Sequence, residues 1–342
     1  MITIKDIAYK AGVSPTTVSN VLHGRTEKVS KDTLEHVQKI IEESNYVSNM
    51  GARLIANYGS RIIGVIMMYG NRNEKNALQD PFYSEIVGAL EREIRDNQYY
   101  MMLYTSASVE ESLKLALAWN IEGLIVLGAQ ADDCRKLKEN IGIPIVFIDC
   151  YFNDKDHLYA NVGLQDEEGA YKITNHLFEN GHKKIAFLCD NEVPVGVNFF
   201  RKEGFQRALR EKGIQCTEDD IIYISQFARE RYNLLEQFYK SRIKQYTALF
   251  FSSDFYAVDA IHFLHDKGMK VPEEISVVGF DDNIYAIQCR PQITTVHQDT
   301  SQKAVYAIDL LQRLIQGKEV QQYNIKLPVR VIVRDSVKRL DT

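Results

Sequence analysis

The 342-residue chain offers few residue constellations whose spacing would support chemistry. It contains neither GxxxxGK nor GxGxxG, the glycine-rich spacings that let backbone amides cradle a phosphate, and neither the HExxH metal motif nor the GxSxG nucleophile elbow. His262 and His265 lie three apart on a predicted helix and could share a metal, but no third ligand accompanies them, so surface or structural histidines are the simpler reading. Cys134, Cys150, Cys189, Cys216 and Cys289 are odd in number and scattered without CxxC spacing. They read as thiols of a reducing, cytoplasmic compartment, with no disulfide or zinc framework. The pattern argues for binding rather than catalysis, and no cofactor is expected.

Composition sets further bounds. Hydrophobic residues make up 45% and charged residues 25% of the chain, which is enough for a real core. The net charge of −5 gives no whole-chain attraction for nucleic acid or anionic membrane, so any DNA contact must be local. The longest apolar stretches, Ile62–Met68 and Leu124–Leu127, fall far short of the roughly 20 residues that cross a bilayer, and no membrane role is expected. The opening residues lack the basic-then-apolar order of a secretion leader.

Charge divides near residue 61. Up to Arg61 there are 8 Lys and Arg against 6 Asp and Glu, whereas the remainder has 33 against 40. The early segment carries helix-start signals at Thr3, Ser14 followed by Pro15, and Ser30. These predict helices at about 4–11, 15–22 and 31–44, with Ala11-Gly12-Val13 as the tight join of a helix-turn-helix. At about 100° per residue, Val18, Val21 and Leu22 share one face of the second helix, and Thr16, Ser19 and Asn20 share the other. A small polar face suits a helix in the major groove, where hydroxyls and carboxamides reach base edges. A three-helix cap with a solvated face is the competing reading. Residues 46–60 could form a short helix that is marginal alone, with Gly51 weakening it, or an ordinary linker.

From Ile62 onward, apolar strands alternate with amphipathic helices. Strands are expected near 62–68, 100–104, 123–127, 144–148, 184–188, 221–224, 247–251 and 275–279. The fold class is therefore α/β, with a small all-α helix-turn-helix head followed by two lobes built on parallel sheets. Ligands of such sheets sit at the carboxyl ends of strands, in the cleft between lobes.

The chain resembles bacterial transcription regulators of the lactose/galactose-repressor (LacI/GalR) family. The resemblance is carried by Thr3-Ile-Lys-Asp-Ile-Ala8, Ala11-Gly-Val-Ser14, Thr17-Val-Ser19, Val21-Leu22 and Gly24 at the start. Further along it is carried by Gly181-His-Lys-Lys-Ile-Ala186, Arg201 with Gly204-Phe205, the run from Val271 to Asp282, and Ile293-Thr-Thr-Val296. It implies a homodimer reading a near-palindromic double-stranded DNA operator, under control of a small effector, most simply a sugar. It also implies a type I periplasmic-binding-protein-like fold for the lobes, with three crossings between them. The implied domains are a helix-turn-helix at 1–45, a hinge at 46–60 and an effector domain at 61–342. Lobe one would take about 61–160 and 292–323, and lobe two about 161–291 and 324–342.

Carried over by position, Pro15, Thr16 and Asn20 stand at the base-reading sites, and Thr17 and Ser19 at phosphate-positioning sites, with Thr3, Ser14 and His23 completing the DNA contacts. Asn20 stands where arginine is common, which points to a different operator, with adenine as its partner. Arg53, Leu54 and Ile55 fall in the minor-groove hinge, with Ile55 as the apolar wedge and Leu54 as the alternative. Ser48 replaces a frequent proline before that helix. In the cleft, Arg201 and Asp281 match the family's ligand-contacting pair, joined by Phe82, Asp149, Asn198 and Asp254. A carboxylate and a guanidinium suit a polyol, the one accepting from hydroxyls and the other donating in a fixed fork. A structural ion pair between Arg201 and Asp281 is the plainer account. The dimer face is placed on the helix 82–97, and the tail lacks the leucine heptad of a tetramer-forming extension. The competing functions are a regulator of the same family answering to a purine or a partner protein, a solute-binding sensor, and a sugar-modifying enzyme with a regulatory head.

Overall fold

A computed structural model describes residues 2–22, 26–27, 29–44, 46, 59–68, 77–151, 159–190 and 196–340. The chain divides into two compact units, Met1–Ser60 and Arg61–Thr342.

In the first unit, α1 (Ile4–Ala11), α2 (Pro15–Leu22) and α3 (Lys31–Glu43) form at the expected places. Their ends are fixed by side chains that satisfy free first-turn amides. Thr3 Oγ1 accepts from the Asp6 amide at 3.3 Å while Asp6 Oδ2 accepts from the Thr3 amide at 2.8 Å, a reciprocal capping box. Ser14 Oγ accepts from the Thr17 amide at 3.0 Å and Ser30 Oγ from the Thr33 amide at 3.3 Å. Gly12 ends α1 at φ 64°, a left-handed conformation that favours glycine. Ile7, Val18 and Val37, one from each helix, are fully buried and hold the three together.

In the second unit, six strands form one sheet in the order β11 (Asn324–Leu327), β5 (Asn161–Leu164), β4 (Ile145–Ile148), β3 (Gly123–Leu127), β1 (Ile62–Met68) and β2 (Tyr100–Ser106). All five pairings are parallel. β1 and β3 are buried on both faces, which is why they read as unbroken apolar runs. A second parallel sheet runs β7 (Ile221–Tyr223), β6 (Ile185–Cys189), β8 (Ala248–Phe251) and β9 (Ser276–Val278). A short antiparallel pair, β10 (Thr295–His297) with β12 (Arg330–Ile332), lies beside it through the bridges Val278 to Thr294 and Asp281 to His297.

The helices that concern the site are α4 (Pro81–Asp96), α6 (Ala131–Asn140), α7 (Asp166–Glu179), α8 (Val197–Glu211), α10 (Asp254–Asp266) and α12 (Thr300–Ile315), with α5 (Val109–Ala118), α9 (Ala228–Ser241) and α11 (Ile284–Gln288) between them in sequence. α7 and α8 approach so closely that a Cβ on Gly204 would lie 2.0 Å from the Glu167 carbonyl oxygen.

Two expectations are corrected. Residues 161–164 and 324–327 belong to the first sheet, not the second lobe, because β5 pairs with β4 on one side and β11 on the other. The chain therefore passes between sheets just after Leu164, between His297 and Thr300, and between Leu327 and Arg330. Cys134 and Cys150 form a disulfide, where the scattered cysteines had suggested none. It joins α6 to the end of β4, a juxtaposition that only the tertiary fold creates.

Candidate functional site

Between the sheets of the second unit lies a cleft of about 880 Å³, within the range of small-ligand pockets. Its walls come from strand ends and helix starts. Asp149 follows β4, Asp281 follows β9, Asn198 and Arg201 lie in α8, and Asp80 caps α4 ahead of Phe82.

The sequence-derived residues meet here, with one exception. Phe82, Asp149, Asn198, Arg201 and Asp281 all line the cleft. Asp254 lies beneath it, fully buried. Its Oδ1 accepts from Thr295 Oγ1 at 2.6 Å and its Oδ2 from the Asp282 amide at 2.7 Å. It braces the loop that presents Asp281, with no oxygen turned to the cleft wall.

Arg201 donates from Nε to Asp166 Oδ1 at 2.9 Å and from Nη1 to the Ser252 carbonyl at 2.5 Å, with Asp281 Oδ1 at 3.6 Å. Its guanidinium stacks 3.6 Å from the Phe280 ring centroid. The Arg201–Asp281 ion pair exists, but the shorter salt bridge is to Asp166, which also accepts from Tyr151 Oη at 2.8 Å. Asp281 accepts from Ser253 Oγ at 3.0 Å and from Gln298 Nε2 at 2.6 Å. Gln298 Oε1 in turn accepts from Lys303 Nζ at 2.9 Å, and Lys303 Nζ donates to Asp149 Oδ2 at 2.7 Å. A continuous polar chain thus runs from the first sheet to the second, Asp149 to Lys303 to Gln298 to Asp281. Asp149 Oδ1 is buried and has no hydrogen-bond partner among the described residues.

Asp149 and Asp281 are held at positive φ, 56° and 123°. Strained backbone of this kind persists where surrounding structure over-determines it, as at ligand sites. Burial raises the carboxyl of Asp281 to about 6, against the pull of Arg201. Asp80 is pushed to about 7 by burial and then by the charge of Asp281. Burial also raises Asp149, which Lys303 opposes.

Sequence reasoning missed Lys303, Gln298, Asp166, Asp80 and Asp190. One signal for Lys303 was present, since it shares the apolar stripe Ala307, Leu310 and Leu311 of α12 at helical spacing. Among the described residues no group of three or more His, Cys, Asp or Glu could hold a metal, and His262 and His265 are exposed.

In the first unit, Ser14, Pro15 and Thr16 are exposed at the start of α2, Thr3 is exposed at α1, and Thr17, Ser19 and Asn20 are half-buried. Val18 and Val21 face inward, as the periodicity required. Tyr9 is 90% exposed on α1, a phenol that the sequence did not single out. His23, Arg53, Leu54 and Ile55 lie outside the described residues, as does most of the 46–60 hinge.

A capped helix-turn-helix joined to a two-sheet ligand-binding body defines a class, that of DNA-binding transcription regulators controlled through a separate domain. Comparison with known proteins makes the class particular. Residues 3–49 match bacterial regulatory proteins, lacI family, and residues 174–337 match the periplasmic binding protein-like domain. The HTH-type transcriptional repressor PurR of Haemophilus influenzae is 31% identical over 99% of this chain and 100% of its own. The HTH-type transcriptional regulator MalR of Clostridium butyricum is 30% identical over 97% of this chain and 98% of its own. A lac repressor dimer solved with operator and the anti-inducer ONPF superposes with a TM-score of 0.82 at 26% identity, covering 98% of this chain and 99% of that one. The chain belongs to the lacI family of bacterial regulatory proteins, and it is a transcription regulator rather than an enzyme. No described helix is long and apolar enough to cross a membrane.

Proposed function

We propose that the chain is a homodimeric, cytoplasmic repressor whose affinity for a near-palindromic operator is set by a small polyhydroxylated effector in the cleft. Pro15, Thr16 and Asn20 read base edges, while Thr3, Ser14, Thr17 and Ser19 position phosphates. His23 and the hinge residues Arg53, Leu54 and Ile55 complete the DNA surface, with Ile55 as the wedge. Phe82 gives the effector an apolar face, and Asp149, Asn198, Arg201 and Asp281 give it polar partners.

The observation that carries this reading is the polar chain from Asp149 through Lys303 and Gln298 to Asp281, which crosses between sheets and leaves Asp149 Oδ1 buried without a partner among the described residues. A ligand that bonds at both ends changes the balance between lobe arrangements, and that is the coupling an allosteric repressor needs. Fluorescence anisotropy of the full chain on near-palindromes upstream of its own gene, at fixed salt, tests it. Saturable sequence-selective binding that one sugar-type ligand shifts supports the reading. Ligand binding that leaves operator affinity unchanged overturns it.

A further inference from the structure

We propose that the effector is cationic, an amine carried on a polyhydroxylated frame of the hexosamine kind, and that the cleft rejects anionic sugars such as sugar phosphates. The inference rests on the cleft being the effector site and adds the ligand's charge.

Six carboxylates line the cleft, Asp80, Asp133, Asp149, Asp190, Glu230 and Asp281. Three of the cations beside them, Arg201, Arg231 and Lys303, are committed elsewhere. Arg201 is held by Asp166 and the Ser252 carbonyl, with only a 3.6 Å approach to Asp281. Arg231 is held by Asp259 and by the carbonyls of Ser225 and Gln226. Lys303 divides its ammonium between Asp149 Oδ2 and Gln298 Oε1. Arg229 and Glu230 are both exposed on the cleft wall, and Glu230 Oε2 accepts from Ser225 Oγ at 2.7 Å.

The carboxylates are less well served. Asp149 Oδ1 has no partner among the described residues. Among the described residues the donors to Asp190 are neutral, Asn198 Nδ2 at 2.6 Å and Tyr256 Oη at 2.8 Å. Asp80 has the Phe82 amide at 3.0 Å, and the charges that act on it most are those of Asp281, Asp190 and Glu85, all negative. Crowded carboxyl groups hinder one another's ionisation, as the raised Asp80 and Asp281 show, and in their charged form they repel an incoming anion. Ligand hydroxyls could occupy the same oxygens, but they would leave that repulsion in place; an ammonium removes it. Phe82, Tyr83, Phe255 and Tyr256 add ring faces, which suit both a sugar's apolar face and a cation.

The test is isothermal titration calorimetry of the full chain at neutral pH with three matched series: glucosamine and galactosamine, glucose and galactose, and the 6-phosphates of both hexoses. Each ligand is also added to the operator-binding assay. A hexosamine is expected to bind about ten-fold or more tighter than its neutral parent, with no heat from the phosphates. Asp80→Asn keeps a side chain that caps α4 and should narrow the hexosamine's advantage over the neutral sugar, with the melting temperature of the variant checking its fold. A neutral or phosphorylated sugar that binds as well as the amine, and shifts operator affinity, overturns the charge assignment and leaves the effector reading standing. A panel in which nothing binds and nothing shifts operator affinity overturns both.

Discussion

Lys303 and Asp149 meet at 2.7 Å across the first lobe, the lysine fully buried on α12 and the aspartate at the end of β4, 154 residues earlier. Burying an ammonium is costly unless its partners are in place, so the pair is a point where stability and ligand geometry depend on the same atoms.

Lys303→Met should therefore destabilise the effector unit by about 3–5 kcal/mol, since it strands a buried carboxylate. Adding Asp149→Asn should recover part of the loss. Urea unfolding of wild type, both singles and the double variant measures this. A double variant whose cost equals the sum of the two singles would show that the pair is not coupled.

The pH dependence has a definite sign. Asp80 stands at about 7 and Asp281 at about 6 in the folded chain, above the 3.8 of a free aspartate. The folded state thus binds the extra protons, and stability contributed by these groups falls as pH rises from about 4 to 7. Asp80→Asn cannot titrate, so without ligand it should gain on wild type by ~1–3 kcal/mol between pH 5 and pH 8. Calorimetric melting of both proteins across that range is the check.

Gly204→Ala should cost about 3 kcal/mol, because the new methyl meets the Glu167 carbonyl oxygen, a backbone atom that cannot swing aside. Chemical denaturation reads the loss. A neutral result would mean that α7 and α8 can separate without penalty.

Asn20→Ala should weaken operator binding by about 1–3 kcal/mol, relax sequence preference at one position of each half-site and leave non-specific binding nearly unchanged. Anisotropy on operator and scrambled duplexes at the same salt separates the two. Equal losses on both would reassign Asn20 to a backbone contact.

How far the sequence could be read depended on how local the cause was. α1 to α3 were legible because their caps, Thr3, Ser14 and Ser30, act on amides three residues away. Strands such as Ile62–Met68 were legible because burial on both faces leaves a continuous apolar run. Asn161–Leu164 and Asn324–Leu327 were not assigned to the first sheet, since each is four residues long and contains polar residues; Asn161–Leu164 meets β4 only at Phe147 and Ile148, and Asn324–Leu327 is placed by a partner more than 150 residues away. In the cleft, Arg201 and Asp281 were found through a family resemblance, whereas Asp254 was chosen for its strand-end or loop position, and its carboxylate proves to be committed to Thr295 and two loop amides. Gln298 carried no local mark, because its role exists only where Asp281 and Lys303 converge on it. The Cys134–Cys150 bond was illegible for the same reason.

The return of the chain to the first sheet has a consequence for how the protein is made. The sheet begins at Ile62, yet its outer strand, β11, ends at Leu327, and β10 waits for β12 at Arg330–Ile332. A growing chain can complete the three-helix head from its first sixty residues, long before either lobe can close. During synthesis the DNA-binding part thus precedes the part that governs it, and partly built lobes must keep open strand edges apart until the final crossings are translated.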